Sequence, residues 1–173
     1  MLELYLASVG RNSGLLLNVP PTTGGLLHPT DAARLAVFGT RRQRVFSQDL
    51  ARGARVTASS SGRGSHPSSV LDPDPDTRWS AADDATSAWL QLDFPRSVTF
   101  DLLSLEEAIA EGQTISSYTL DSWTDGWTRI AAGTTAGHRR IERVTPLTTT
   151  RLRLSLVSRR GPPRLSRLSL HHT

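Results

Sequence analysis

Three aspartates alternate along the segment Asp72-Pro73-Asp74-Pro75-Asp76. Carboxylates at every second position can aim several oxygens at one point, and a cluster of hard oxygen donors is what Ca²⁺ requires. The other acidic groups offer no such convergence. Glu106 and Glu107 are neighbours at a strand end, where alternation turns them to opposite faces. Asp83 and Asp84 sit in a Ser/Ala-rich loop. Neither pair is placed to act on a substrate from two sides. His171 and His172 form a terminal pair, and His28, His66 and His138 lie in loops without metal-ligand spacing, which argues against a catalytic zinc. Gly62-Arg63-Gly64 is not followed by a helical pattern and reads as a surface hairpin loop rather than a phosphate cradle.

These residues must be positioned by a short chain. Its 173 residues suffice for one good core and a fraction of a second, and exclude a complete eight-stranded barrel with its helices. Hydrophobic residues make up 37% and charged residues 21%, the balance of a globular protein, and no apolar run is long enough to span a bilayer. The net charge of +4 comes from twenty basic residues, all of them Arg. Those arginines are scattered, apart from Arg41, Arg42 and Arg44 and the pairs Arg139-Arg140 and Arg159-Arg160, so no continuous basic face points to nucleic acid. The absence of cysteine removes disulfides and thiolate metal sites and leaves the compartment open. Met1-Leu2-Glu3-Leu4-Tyr5-Leu6 carries no basic leader or cleavage site, so any signal peptide is expected upstream.

Two patterns divide the chain. Residues 1–45 read as strand, turn and helix. Leu15-Leu16-Leu17-Asn18-Val19 is a continuous apolar run suited to a strand buried on both faces, ended by Pro20-Pro21. After Pro29, Thr30 or Asp31 is expected to cap a helix with an apolar stripe, which Gly39 ends or interrupts. One strand and one helix enclose no core, so this segment must pack on something else. Residues 46–173 are rich in Ser, Thr and Gly. Eight short runs are expected as strands of an antiparallel sandwich: 55–59, 89–94, 99–105, 117–123, 128–132, 140–144, 151–156 and 165–170. Leu152, Leu154 and Leu156 share one face, with arginine on the other. Trp79 and Trp89 are read as core.

The segment Val70-Leu71-Asp72-Pro73-Asp74-Pro75-Asp76-Thr77-Arg78-Trp79-Ser80, followed by Trp89-Leu90-Gln91-Leu92-Asp93-Phe94, resembles the opening of factor five/eight type C (discoidin-like) domains and of family 32 carbohydrate-binding modules. Leu105 to Tyr118 and Trp127 to Ile141 are similar to the sandwich domain appended to family 29 α-L-fucosidases. Ser8-Val9-Gly10-Arg11-Asn12-Ser13-Gly14-Leu15-Leu16-Leu17-Asn18-Val19-Pro20-Pro21 resembles the last barrel strand of those enzymes.

The resemblance implies a mainly β chain: an antiparallel β-sandwich of jelly-roll, galactose-binding-like form over residues 46–173, preceded over residues 1–45 by a short strand-helix remnant of a (β/α)₈ barrel. It also implies a structural Ca²⁺ at the acidic turn, carried over at Asp72 and Thr77 with the alternating Asp74 as a further candidate ligand, the alternative being a plain Asp-rich turn. The glutamate that such modules carry near the final strand is replaced here by arginine, at Pro163-Arg164-Leu165. Retaining glycosidases use two carboxyls about 5 Å apart. In the resembling fucosidases these come from barrel regions upstream of the last strand, so no hydrolysis is expected from this chain alone. What the sandwich can offer is binding by loops, for which Glu107, Gln113, Trp123 and His138 are candidates. Each has a structural alternative: Glu107 and Gln113 in docking the sandwich to a barrel, Trp123 in packing at a sheet edge, His138 as a solvated turn residue. Three functions fit: an accessory domain of an α-L-fucosidase that supports its barrel and grips fucosylated or galactosylated glycan, a free-standing lectin-like module, or a discoidin-type module for lipid or protein surfaces. Parent enzymes of this kind are often secreted or periplasmic.

Overall fold

The computed structural model describes residues 1–74 and 76–173; Pro75, within the acidic turn, lies outside them. Two helices come first, α1 (Leu2–Ser8) and α2 (Pro29–Phe46), followed by seven strands: β1 (Arg55–Ala58), β2 (Trp79–Ser80), β3 (Ser87–Glu107), β4 (Ile115–Trp123), β5 (Trp127–Gly133), β6 (Arg140–Ser158) and β7 (Arg164–His171). Every pairing is antiparallel; the order is β2-β7-β3-β6-β4-β5, with β1 on the free side of β3.

Two long strands make this a sandwich. The runs 89–94 and 99–105 are halves of β3, and the runs 140–144 and 151–156 are halves of β6. The β3–β6 register jumps between Asp93 and Val98, where Pro95 interrupts the strand, while β6 passes Pro146 and turns with it. Proline removes a ladder donor and extra residues bend a strand, so the break steers both strands from one layer into the other instead of ending them. The first half of β3 pairs with β1 and the later half of β6, which carries β4 and β5. The second half of β3 pairs with β7 and the earlier half of β6.

The alternating leucines fill the space between the layers: Leu90, Leu92, Leu120, Leu152, Leu154 and Leu156 from one sheet, and Phe100, Leu103, Leu105, Leu165, Leu168 and Leu170 from the other. Trp79 is fully buried among them, and its indole Nε1 donates to Ser61 Oγ at 3.0 Å, which satisfies the one polar atom that such burial would strand. Trp89 corrects the expectation for the second tryptophan. It alternates with Leu90 and therefore faces outward, half-buried, on the side opposite the core.

The N-terminal segment also departs from expectation. Residues 15–19 form no strand: none of the described residues supplies them a ladder, and Leu16 is 95% exposed. An apolar run becomes a buried strand only where other strands flank it. The N-cap of α2 is His28, two residues before Thr30 and three before Asp31, and its Nδ1 accepts from the Thr30 amide at 3.2 Å. Pro29 occupies the first turn, where its missing N–H costs nothing. Gly39 does not end the helix, which continues to Phe46; one internal glycine costs only about 1 kcal/mol. α1 and α2 pack outside the second sheet, where Leu2, Tyr5, Leu6 and Val45 surround Leu102 and Ile141 in a small core of their own.

Candidate functional site

At one end of the sandwich β3 terminates in Glu107, and the chain crosses to β4 through Ala108, a single turn of 3₁₀ helix at Ile109–Glu111, and Gly112, whose φ of 92° needs a residue without Cβ. Glu107 holds this crossing. Its Oε2 accepts from the Thr114 amide at 2.8 Å and the Ile115 amide at 3.0 Å, and its Oε1 accepts from the Gly137 amide at 2.6 Å. The side chain is only 3% exposed. One carboxylate thus satisfies three buried main-chain donors on two loops and organises the rim.

Outside that staple lies a cleft of about 260 Å³ lined by Asp76, Arg78, Glu106, Glu111 and His138. Arg78 and Glu111 are ion-paired, and Arg164 Nε approaches the other oxygen of Glu111 at 3.3 Å. A second cleft of about 420 Å³ shares Arg78 and Glu111 and adds Arg164, Ser65, Ser80 and Asp83. Two arginines on one carboxylate form a fixed bridge between the two hollows, with guanidinium donors, carboxylate acceptors and hydroxyls around it. Such a surface can hydrogen-bond a polyhydroxylated ligand.

The structure brings Glu107 and His138 to the same cleft, Glu107 beneath it with both oxygens engaged and His138 on its lining. Gln113 is exposed on the same crossing but is not part of the lining. Trp123 is elsewhere. It ends β4, eight residues beyond Ile115, a strand distance of roughly 26 Å at the usual rise. There it is half-buried against Trp127, with ring centroids 5.2 Å apart and planes at 71°. Arg78, Glu111 and Arg164 were missed as site residues. The one clue to them was the arginine standing near the final strand where a carboxylate was expected, since Glu111 brings a carboxylate to that arginine from another loop.

The acidic turn beside the cleft is built from local caps. Asp72 Oδ1 accepts from the Asp74 amide at 3.0 Å, Asp74 Oδ1 from the Asp76 amide at 2.9 Å, and Thr77 Oγ1 donates to the Asp74 carbonyl at 2.9 Å. All donors to a cation here would be oxygens, as calcium chemistry demands, and each capping carboxylate keeps a second oxygen. Among the described residues, no three His, Cys, Asp or Glu side chains converge on one point. A cation would therefore draw on main-chain carbonyls and water as well.

Residues 55–168 match the F5/8 type C domain family. The chain is 36% identical to alpha-L-fucosidase 1 of Arabidopsis thaliana over 99% of its own length and 35% of that protein, so it spans about a third of this curated relative. Among solved structures, a Ruminococcus gnavus GH29 fucosidase in complex with fucose superposes with a TM-score of 0.92 at 29% identity, over 99% of this chain and 36% of that one. Chitosan-binding module 1 from the chitosanase/glucanase of Paenibacillus sp. IK-5 superposes with a TM-score of 0.64 at 26% identity, over 71% of this chain and 98% of the module.

Proposed function

The chain belongs to the F5/8 type C domain family, and we propose that it serves as the accessory, carbohydrate-binding sandwich of an α-L-fucosidase, gripping fucosylated or galactosylated glycan while a barrel absent from this chain hydrolyses terminal α-L-fucosides. The observation that carries this reading is the polar double cleft around the Arg78–Glu111–Arg164 bridge, in a chain whose matched relatives are fucosidases over nearly its whole length. Sugars are recognised by a few fixed donors and acceptors in a concave site, and this end of the sandwich supplies them.

The N-terminal segment supports the second half of the proposal. An apolar groove of about 620 Å³ between α1 and α2 is lined by Met1, Leu2, Ala33, Val37 and Phe38, with Val37 68% exposed. Leu16 and Leu26 are also exposed nearby in sequence. A catalytic barrel packed on this side would bury these groups and account for a helix pair whose core is incomplete. A second reading, a free-standing lectin-like module, is supported by the match to nearly all of a chain that is a chitosan-binding module without its enzyme's other parts.

Titration calorimetry of this chain with neutral fucosylated and galactosylated oligosaccharides tests the binding half. The expected result is binding that Glu111→Ala and Arg78→Ala weaken at least tenfold. Binding that neither substitution changes would remove the cleft from consideration. Calcium at Asp72, Asp74 and Thr77 belongs to the same proposal; when bound it would brace the turn that carries Asp76 to the cleft. It predicts a higher melting temperature in calcium than in chelator, an increment that Asp72→Asn abolishes, and equal melting curves would reject it.

A further inference from the structure

The sheet that faces away from α1 and α2 carries an aromatic and cationic ladder on its outer side. Alternation places Trp89, Gln91 and Asp93 of β3 outward, opposite Ser155, Arg153 and Arg151 of β6. Beside them lie Asp121 and Trp123 of β4, and Trp127 and Arg129 of β5. The Arg153 guanidinium is held between two indoles, 4.8 Å from the Trp89 ring centre and 4.3 Å from that of Trp127. Arg151 sits over Trp123 at 5.7 Å.

The charges on this face do not cancel. Asp93 is taken by Arg151 at 2.6 Å and Asp121 by Arg129 at 2.6 Å. Arg153 stands directly cross-strand from Asp121, yet it forms no ion pair among the described residues; its Nη2 donates to Gln91 Oε1 at 2.7 Å. Stacking fixes the plane of this guanidinium and leaves its charge uncompensated. A planar cation whose orientation is set in advance loses little entropy on meeting a carboxylate or sulfate. Three half-buried tryptophans around it can pack against the C–H faces of sugar rings.

We propose that this outer face is a second glycan-binding surface, distinct from the cleft, that takes acidic polysaccharide through the anionic group of a uronate or sulfated sugar at Arg153. The two chemistries share the oxyanion that the guanidinium recognises. Recognition by an unpaired cation set among indoles favours a charged sugar over a neutral one.

Affinity electrophoresis of the chain in gels containing polygalacturonate, dextran sulfate or neutral galactan separates the cases. The expected result is retardation in one or both anionic gels and none in galactan, with the uronate and sulfate arms naming the source of the anion. Arg153→Gln reduces that retardation at least tenfold, and Glu111→Ala, in the cleft, leaves it unchanged. If Arg153→Gln does not fold, as melting would reveal, Trp127→Phe is read instead and weakens retardation severalfold. The proposal is overturned by mobility that no anionic gel alters, by equal retardation in galactan, or by a folded variant that migrates as the parent does. Neutral oligosaccharide binding at the cleft can succeed or fail independently of every one of these outcomes.

Discussion

Asn12 and Gly137 interlock: a Cβ built on Gly137 would lie 2.6 Å from Asn12 Oδ1, and that same oxygen accepts from the Arg139 amide at 2.8 Å. Both residues adopt left-handed backbone, Asn12 at φ 65° and Gly137 at φ 64°. The segment ahead of the sandwich is thereby latched to the loop that Glu107 holds from the other side. Gly137→Ala meets two penalties, positive φ and overpacking, and is expected to cost roughly 2–4 kcal/mol in urea unfolding. Protease nicking between residues 13 and 28 should rise with it. A variant with the parental urea midpoint would show that the latch carries no stability.

For Glu107 the expectation is structural. Glutamine keeps one acceptor but turns an N–H toward amides that also donate, so Glu107→Gln should lower stability by about 2–4 kcal/mol, a charged and buried hydrogen-bond set being lost. Oligosaccharide affinity of the folded fraction should change little. A direct ligand would behave the other way, with affinity lost and the melting temperature kept.

His171 makes the fold sensitive to acid. It is 2% exposed, stacks edge-on against Phe46 with ring centres 4.9 Å apart, donates through Nδ1 to the Gln48 carbonyl at 2.8 Å and accepts on Nε2 from Ser169 Oγ at 3.0 Å. Burial lowers its pKa below the ordinary 6.5, outweighing the Gln48 carbonyl and Asp49, which favour the charged ring; Arg139 and Arg167 add to the lowering. The unfolded chain therefore takes up this proton at higher pH than the native one. The contribution is intact above about pH 6.5 and is lost as pH falls from there towards the native pKa. Urea midpoints should drop below pH 6.5 in the parent, and His171→Gln should flatten that part of the curve. An unchanged slope would acquit His171.

Alternation and turn residues made the sandwich legible, because a leucine at every second position states which side of a strand is buried. They did not reveal that the segments around Pro95 and Pro146 bend rather than stop, since proline marks both outcomes and only the partner strand decides between them. Trp79 and Trp89 look alike in sequence, yet one sits in the core and the other faces outward, and the phase set by Leu90 and Leu92 already distinguished Trp89. The leucines at 15–17 misled because an apolar run reports a need for burial without naming what will supply it. The cleft was half legible: Glu107 and His138 were already loop candidates for binding, whereas Arg78, Glu111 and Arg164 lie on three separate segments that only the fold brings together.

α2 offers the last test, because its two least helix-like features have opposite consequences. Gly39 is inside the helix, has ordinary helical φ, and a Cβ added there meets nothing within 4 Å. Gly39→Ala should therefore stabilise the chain by about 0.5–1 kcal/mol, by restricting the unfolded backbone and improving propensity. Val37, two residues earlier, is 68% exposed, so Val37→Ser should move the midpoint of this chain by less than about 0.5 kcal/mol. In a longer protein where a barrel covers this face, the same Val37→Ser change should destabilise the assembly while Gly39→Ala remains favourable. Parallel urea titrations of the two variants in both contexts would separate helix propensity from docking, and a Val37→Ser variant without effect in the longer chain would place the barrel contact elsewhere.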